Sequence, residues 1–175
     1  MYNELPQLAF GESEMNKTSF ALVLVFAAAI GSGIVGGIFY AFSSFVMAGL
    51  ARIPPAQGVA AMNSISVAVI NPSFMTAFVG TGILCLGVSV GSFFLWNQPG
   101  AKFALAASLV YLVGCIGVTA FINVPLNDQL ASWADAAQAV AFWPRYLTAW
   151  NFWNHVRSVS GIVSAALFTA ALCQS

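Results

Sequence analysis

The chain has 175 residues, 60% of them hydrophobic and only 6% charged, and its five basic and five acidic side chains cancel. Soluble domains carry about 25% charged residues, so a mean hydropathy of +0.88 points away from that class. Zero net charge and the lack of any basic run argue against nucleic acid as a partner.

Residues 1–18 hold Glu4, Glu12 and Glu14 against a single Lys17, so the positive start of a cleavable signal is missing. Ala27-Ala28-Ala29 resembles a cleavage site, but apolar sequence continues well past it. A polar N-terminal segment, 1–18, is therefore expected ahead of one membrane domain, 19–175. Four stretches reach the roughly 20 apolar residues that a membrane helix needs: Ser19–Leu50, Phe74–Trp96, Lys102–Val124 and Trp150–Leu172.

The first stretch would make a helix ~48 Å long against a hydrocarbon core of about 30 Å, so it must tilt, bend or project. Gly33, Gly37, Tyr40 and Ser44 are spaced i, i+4, i+7, i+11 and fall on one stripe. Gly33 and Gly37 form a small-xxx-small pair that predicts close helix approach, and Gly87 and Gly91 repeat it in the second stretch. The hydroxyls of Tyr40 and Ser44 need a partner or a pocket in such surroundings.

The connections are unequal. Residues 51–73 begin with Pro54-Pro55, which can open a helix, and end with Asn71-Pro72, which can close it. Met62, Ile65 and Val69 make an apolar stripe between them, which predicts an interfacial helix near 56–70. The second and third stretches are joined only by the tight turn Asn97-Gln98-Pro99-Gly100-Ala101. In residues 124–149, Asn127 is an expected N-cap for a helix near 128–141 that Trp143-Pro144 would end. The predicted fold is an all-α membrane protein: an up-down-up-down bundle of four transmembrane helices with two short interfacial helices on one face.

That face collects Arg52, Asn63, Asn71, Asn123, Asn127, Asp128, Asn154 and Arg157. Polar residues next to hydrocarbon are costly and mark functional sites. On the last helix Trp150, Asn154, Arg157, Gly161 and Ser164 share one stripe, and Asn151, His155 and Ser158 an adjoining one. Simpler roles exist: Arg157 can snorkel to headgroups, Trp150 and Trp153 can anchor at the interface, and His155 can be a hydrogen-bonded interface residue. Cys85, Cys115 and Cys173 lie in different apolar segments without metal-type spacing, so no metal and no disulfide framework is expected. Lys17 and Lys102 oppose Arg52 and Arg145, leaving membrane orientation open.

Four motifs occur in order: Gly37–Leu50 (GIFYAFSSFVMAGL), Met62-Asn63 with Asn71-Pro72-x-Phe74, Asn123-Val-Pro-Leu-Asn127, and Trp150-x-x-Trp153-Asn154-His155-x-Arg157. Together they resemble the anthrone oxygenase-like family of small four-helix membrane proteins, over nearly the whole chain from about Phe20. His155 and the Asn123/Asn127 pair are more similar to its bacterial branch, a domain of unknown function, than to the fungal members linked to oxidation of anthrones to anthraquinones. The resemblance implies a four-helix bundle in a bacterial cytoplasmic membrane. As an enzyme, such a protein would act on a lipophilic phenolic or anthrone- or quinol-like compound through an enolate that reacts with dioxygen. The expected catalytic residues are His155 as base, with Arg157 and Asn154 stabilising the anion. Tyr40, Ser44, Asn63, Asn123, Asn127 and Trp150 are the expected substrate-binding residues. No cofactor is expected, with haem held by His155 as the alternative. Expected partners are the lipid bilayer and a small hydrophobic molecule, and association with further copies of the chain stays open. The other class is a non-catalytic membrane module that binds a hydrophobic ligand, haem or a partner protein.

Overall fold

A computed structural model describes residues 5–133 and 135–174, with side chains from Ser19 onward. The acidic side chains of segment 1–18 lie outside the described residues. All regular elements among the described residues are helical. In chain order they are α1 (Leu5–Ala41), a π-helical turn (Phe42–Val46), α2 (Met47–Leu50), α3 (Pro55–Ala68), α4 (Pro72–Phe94) and α5 (Ala101–Tyr111). Two further π-helical turns (Leu112–Gly117 and Thr119–Asn123), α6 (Val124–Ser132) and α7 (Ala136–Leu172) complete the chain. Four continuous helical runs are long and apolar enough to cross a membrane: Ser19–Leu50, Pro72–Phe94, Ala101–Ser132 and Ala136–Leu172. The chain is an integral membrane protein.

Local chemistry sets the boundaries. Pro55 occupies the first turn of α3, where its missing N–H leaves no gap. Asn71 closes one helix and opens the next: its Nδ2 donates to Ala68 O at 2.9 Å and its Oδ1 accepts from Phe74 N at 3.0 Å. Gly100 makes the turn into α5 with φ +82, and a Cβ there would come 2.5 Å from Ala171 O, so both backbone angle and space require glycine.

The expected helix near 128–141 is corrected. The chain leaves α6 earlier, at Trp133, and Asp135 caps α7 by accepting from Ala137 N at 2.9 Å. Pro144 then lies inside α7 rather than ending an element, a placement membrane helices tolerate. Asn127 is not an N-cap; it sits within α6 with its side chain committed to tertiary bonds.

α1 packs against α7 and α4, and α5 packs against the same two helices. The α1–α7 seam runs antiparallel: Ser32 meets Ser164 at 3.2 Å, Gly36 meets Gly161, and Ser43 meets Asn154 at 2.7 Å. At its centre the backbones touch. A Cβ on Gly161 would come 2.6 Å from Gly36 Cα, and one on Gly36 would come 2.9 Å from the Gly161 carbonyl carbon. The close approach expected at Gly33 and Gly37 is therefore made one residue over, by Gly36. Gly37 is exposed with open space at its Cβ position. Gly87 and Gly91 also lack near neighbours, and they line an apolar cavity of about 330 Å³ between α1, α4 and α5. Tyr111 ties α5 to α4 by donating to Phe78 O at 2.9 Å.

Gly161→Val should separate α1 from α7 and cost about 1–3 kcal/mol, the usual penalty of overpacking. Gly37→Ala, on the open face, should change stability by less than about 0.5 kcal/mol. Thermal unfolding of the detergent-solubilised protein, followed by near-ultraviolet circular dichroism, separates the two; equal effects would contradict the seam.

Candidate active site

The α7 stripe that enters the seam begins with Trp150, Asn154 and Arg157, and all three side chains are buried. Arg157 is 5% exposed and lies between two aromatic faces, its guanidinium carbon 4.3 Å from the Phe39 ring centroid and 4.9 Å from that of Trp150. Stacking of this kind stabilises a desolvated cation by about 2 kcal/mol or more. Nη2 donates to Asn154 Oδ1 at 2.7 Å and Nη1 to Thr119 Oγ1 at 3.2 Å. Nε has no partner. Among the described residues no carboxylate pairs with this cation, and Asp128 and Asp135 are exposed.

The surrounding amides are oriented without ambiguity. Asn154 Nδ2 donates to the carbonyl of Phe39 at 2.8 Å and to Ser43 Oγ at 2.7 Å. A carbonyl can only accept, so the amide nitrogen must face α1 and the oxygen must face Arg157. Asn127 Oδ1 accepts from Tyr146 OH at 2.8 Å and from Trp150 Nε1 at 2.9 Å, fixing the indole that covers Arg157. Asn123 Nδ2 donates to Trp150 O at 3.3 Å, which leaves its buried Oδ1 without a partner.

Thr119, Asn123, Asn127, Trp150 and Arg157 border a cavity of about 100 Å³ whose other walls include Phe39, Phe42, Phe74 and Phe78, with Met62 and Ile65 of α3 and Val69 just after it. Two of the residues that line it carry a buried side-chain atom without a partner, Arg157 Nε and Asn123 Oδ1; the only other such side-chain atoms among the described residues are Ser89 Oγ and Asn151 Oδ1. The larger cavity near Gly87 offers none, since its Ser92 hydroxyl is bonded to Val88 O. Two of the π-helical turns flank the smaller cavity, supplying Phe42 from one and Thr119 and Asn123 from another. Such turns recur at functional sites because they offset the side chains from regular helical register.

Of the residues singled out from sequence, Asn123, Asn127, Trp150, Asn154 and Arg157 come together here. Asn63 is half-buried on α3 but does not line the cavity, where Met62, Ile65, Ser66 and Val69 do. Tyr40 and Ser44 are exposed on the outer side of their helical run, correcting their expected place in the pocket. The reason is a one-residue offset. Ser32, Gly36, Phe39 and Ser43 have the same i, i+4, i+7, i+11 spacing and form the inward stripe, while Ser44 spends its hydroxyl on Tyr40 O at 2.7 Å. His155 is also exposed, about 100° around α7 from Asn154, and does not reach the cavity. Sequence reasoning missed Phe39, Ser43 and Thr119. The matched spacing one residue earlier and the i, i+4 pair Thr119/Asn123 were the available signals.

The anthrone oxygenase family profile matches residues 74–167. The chain belongs to the anthrone oxygenase family. No curated protein and no solved structure matches it. In this anthrone oxygenase family member, the matched stretch holds Thr119, Asn123, Asn127, Trp150, Asn154 and Arg157. Phe39 of α1 and Ser43 of the π-helical turn that follows it, which pack against those groups, lie outside it.

Asn154→Ala should cost this anthrone oxygenase family protein about 1–3 kcal/mol, because it strips a buried guanidinium of its best acceptor and leaves the Phe39 side unbonded. Ser44→Ala and Tyr40→Phe should each stay within about 0.5 kcal/mol. Detergent-phase thermal unfolding measures both; a Tyr40 or Ser44 effect as large as that of Asn154 would contradict the placement.

Proposed function

We propose that the protein is an oxygenase that takes a lipophilic anthrone-like ketone, or a related phenolic compound, from the membrane and oxidises it through its enolate. Arg157 carries this reading. A cation with no carboxylate partner among the described residues, held beside hydrocarbon at the wall of a cavity, is arranged for an anion that arrives with the substrate. Family membership supports the reaction class.

In the proposed reaction the substrate loses one proton, from the methylene C–H of the ketone or from the O–H of its enol, and either loss leaves the same enolate with its negative charge on oxygen. The Arg157 guanidinium holds that oxygen and makes the ketone more acidic, while Asn154, Thr119 and the two rings keep the guanidinium in place. The enolate carbon then gives up electrons to dioxygen and forms a C–O bond, and loss of water turns the former methylene into a carbonyl. One oxygen atom enters the product and the other leaves as water. The proton passes to water at the cavity mouth, since the lining has neither carboxylate nor imidazole. His155, on the outward face, takes no step. A cavity of about 100 Å³ is smaller than the ~150 Å³ that admits benzene. A fused-ring substrate would therefore enter by displacing side chains of α3 and Phe74.

Purified protein in detergent should convert anthrone to anthraquinone with matching oxygen uptake, above the rate of protein-free micelles. Arg157→Lys should lower kcat by about 10²–10³, the range for losing one donor to a developing oxyanion, because an ammonium lacks the planar fork that stacks and bonds here. Turnover unaffected by Arg157→Lys, or no turnover above the micelle background, would overturn the proposal.

The membrane arrangement we propose is an up-down-up-down bundle in a bacterial cytoplasmic membrane. In it α3 and the α6–α7 junction cover the substrate site on one side, and the Asn97–Ala101 turn lies on the other. Single cysteines at Gln57 and Gln98, placed in a Cys173→Ala background because Cys173 is exposed, should label from opposite sides of sealed vesicles. Labelling from the same side would sink the topology.

A further inference from the structure

Arg157 and Asn123, two residues that line one small, largely apolar cavity, carry an unmatched buried donor (Nε–H) and an unmatched buried acceptor (Oδ1). Neither can be reassigned. Asn123 must keep its amide nitrogen toward the Trp150 carbonyl, and a guanidinium has no acceptor to offer. Both side chains are nearly fully buried, Asn123 at 1% and Arg157 at 5% exposure.

A ketone oxygen can only accept. It would satisfy Arg157 Nε–H and leave Asn123 Oδ1 buried against it, acceptor facing acceptor. An ether has the same defect. A hydroxyl group on an aromatic ring does both jobs, accepting from Arg157 and donating to Asn123.

We propose that the site selects the hydroxyl-bearing form of its ligand, the phenol or the enol tautomer of an enolisable aryl ketone, and that Asn123 is the specificity-determining residue. This rests on the oxygenase reading for the identity of the substrate, but it concerns binding alone. Tautomerisation moves one proton from carbon to oxygen with no net gain or loss. By stabilising the enol, the site would hold the substrate one proton transfer from the enolate, with its oxygen already against Arg157. Asn123 acts on which form is bound, and Arg157 on its charge.

The test uses three bicyclic probes of similar size: 1-naphthol, 1-methoxynaphthalene and 1-tetralone. Each is titrated into the detergent-solubilised full chain by equilibrium dialysis, with protein-free micelles as reference. Wild-type protein should bind 1-naphthol at least about tenfold more tightly than either of the others, the lower part of the range for leaving a buried polar group unsatisfied. Asn123→Leu should reduce that preference to less than about threefold while retaining 1-methoxynaphthalene binding. Equal binding of the three probes by wild-type protein would overturn the proposal, and that result needs no variant to fold. Discrimination that persists in Asn123→Leu would also overturn it. Failure of the oxygenase reading looks different: anthrone is not consumed, yet the naphthol preference and its dependence on Asn123 remain.

Discussion

One buried guanidinium organises this molecule. Arg157 lies far enough along α7 to face the interior of a membrane-embedded structure, where an uncompensated charge costs several kcal/mol. Compensation comes from two ring faces, an amide oxygen and a threonine hydroxyl, drawn from three different spans. Each of these groups needs its own anchor. Phe39 O and Ser43 anchor Asn154, and Asn127 anchors Trp150. The charge thus ties together α1, α6, α7 and the π-helical turn at Thr119–Asn123.

That arrangement depends on how closely α1 and α7 approach. Backbone contact at Gly36 and Gly161 brings the Phe39 carbonyl and Ser43 within hydrogen-bonding range of Asn154. Ser32 and Ser164 continue the same seam toward the other end of the helices, where Ser164 also donates to Ala107 O of α5 at 2.9 Å. Small residues serve two purposes here: they allow dispersion contacts between helices that hydrophobicity cannot drive together in lipid, and they set the register of the polar groups.

The π-helical turns complete the site. Two of them occur where the first and third spans reach the cavity, and each widened turn offsets the side chains that follow it. Thr119 and Asn123 at the two ends of one such turn reach opposite duties, one on the guanidinium and the other on the Trp150 carbonyl. Among the described residues, those that line this cavity leave one donor and one acceptor buried without a partner, a small vocabulary that suits a hydroxyl better than a carbonyl.

The membrane class, the four apolar spans and the inward stripe of α7 were legible in the sequence, because composition and 3.6-residue periodicity are properties of the chain itself. The polar set Asn123, Asn127, Trp150, Asn154 and Arg157 was legible for a related reason: few polar residues occur among so many apolar ones, and lipid penalises them. The face of the first span was not legible. Two stripes, Gly33-Gly37-Tyr40-Ser44 and Ser32-Gly36-Phe39-Ser43, have identical spacing one residue apart, and only contact with Gly161 decides between them. His155 shows the same limit, since its neighbours in sequence are site residues but 100° of helical rotation turns it outward. The sequence by itself determined which residues must avoid lipid; tertiary structure alone decided which of them meet, because a helix face becomes interior only when another helix covers it.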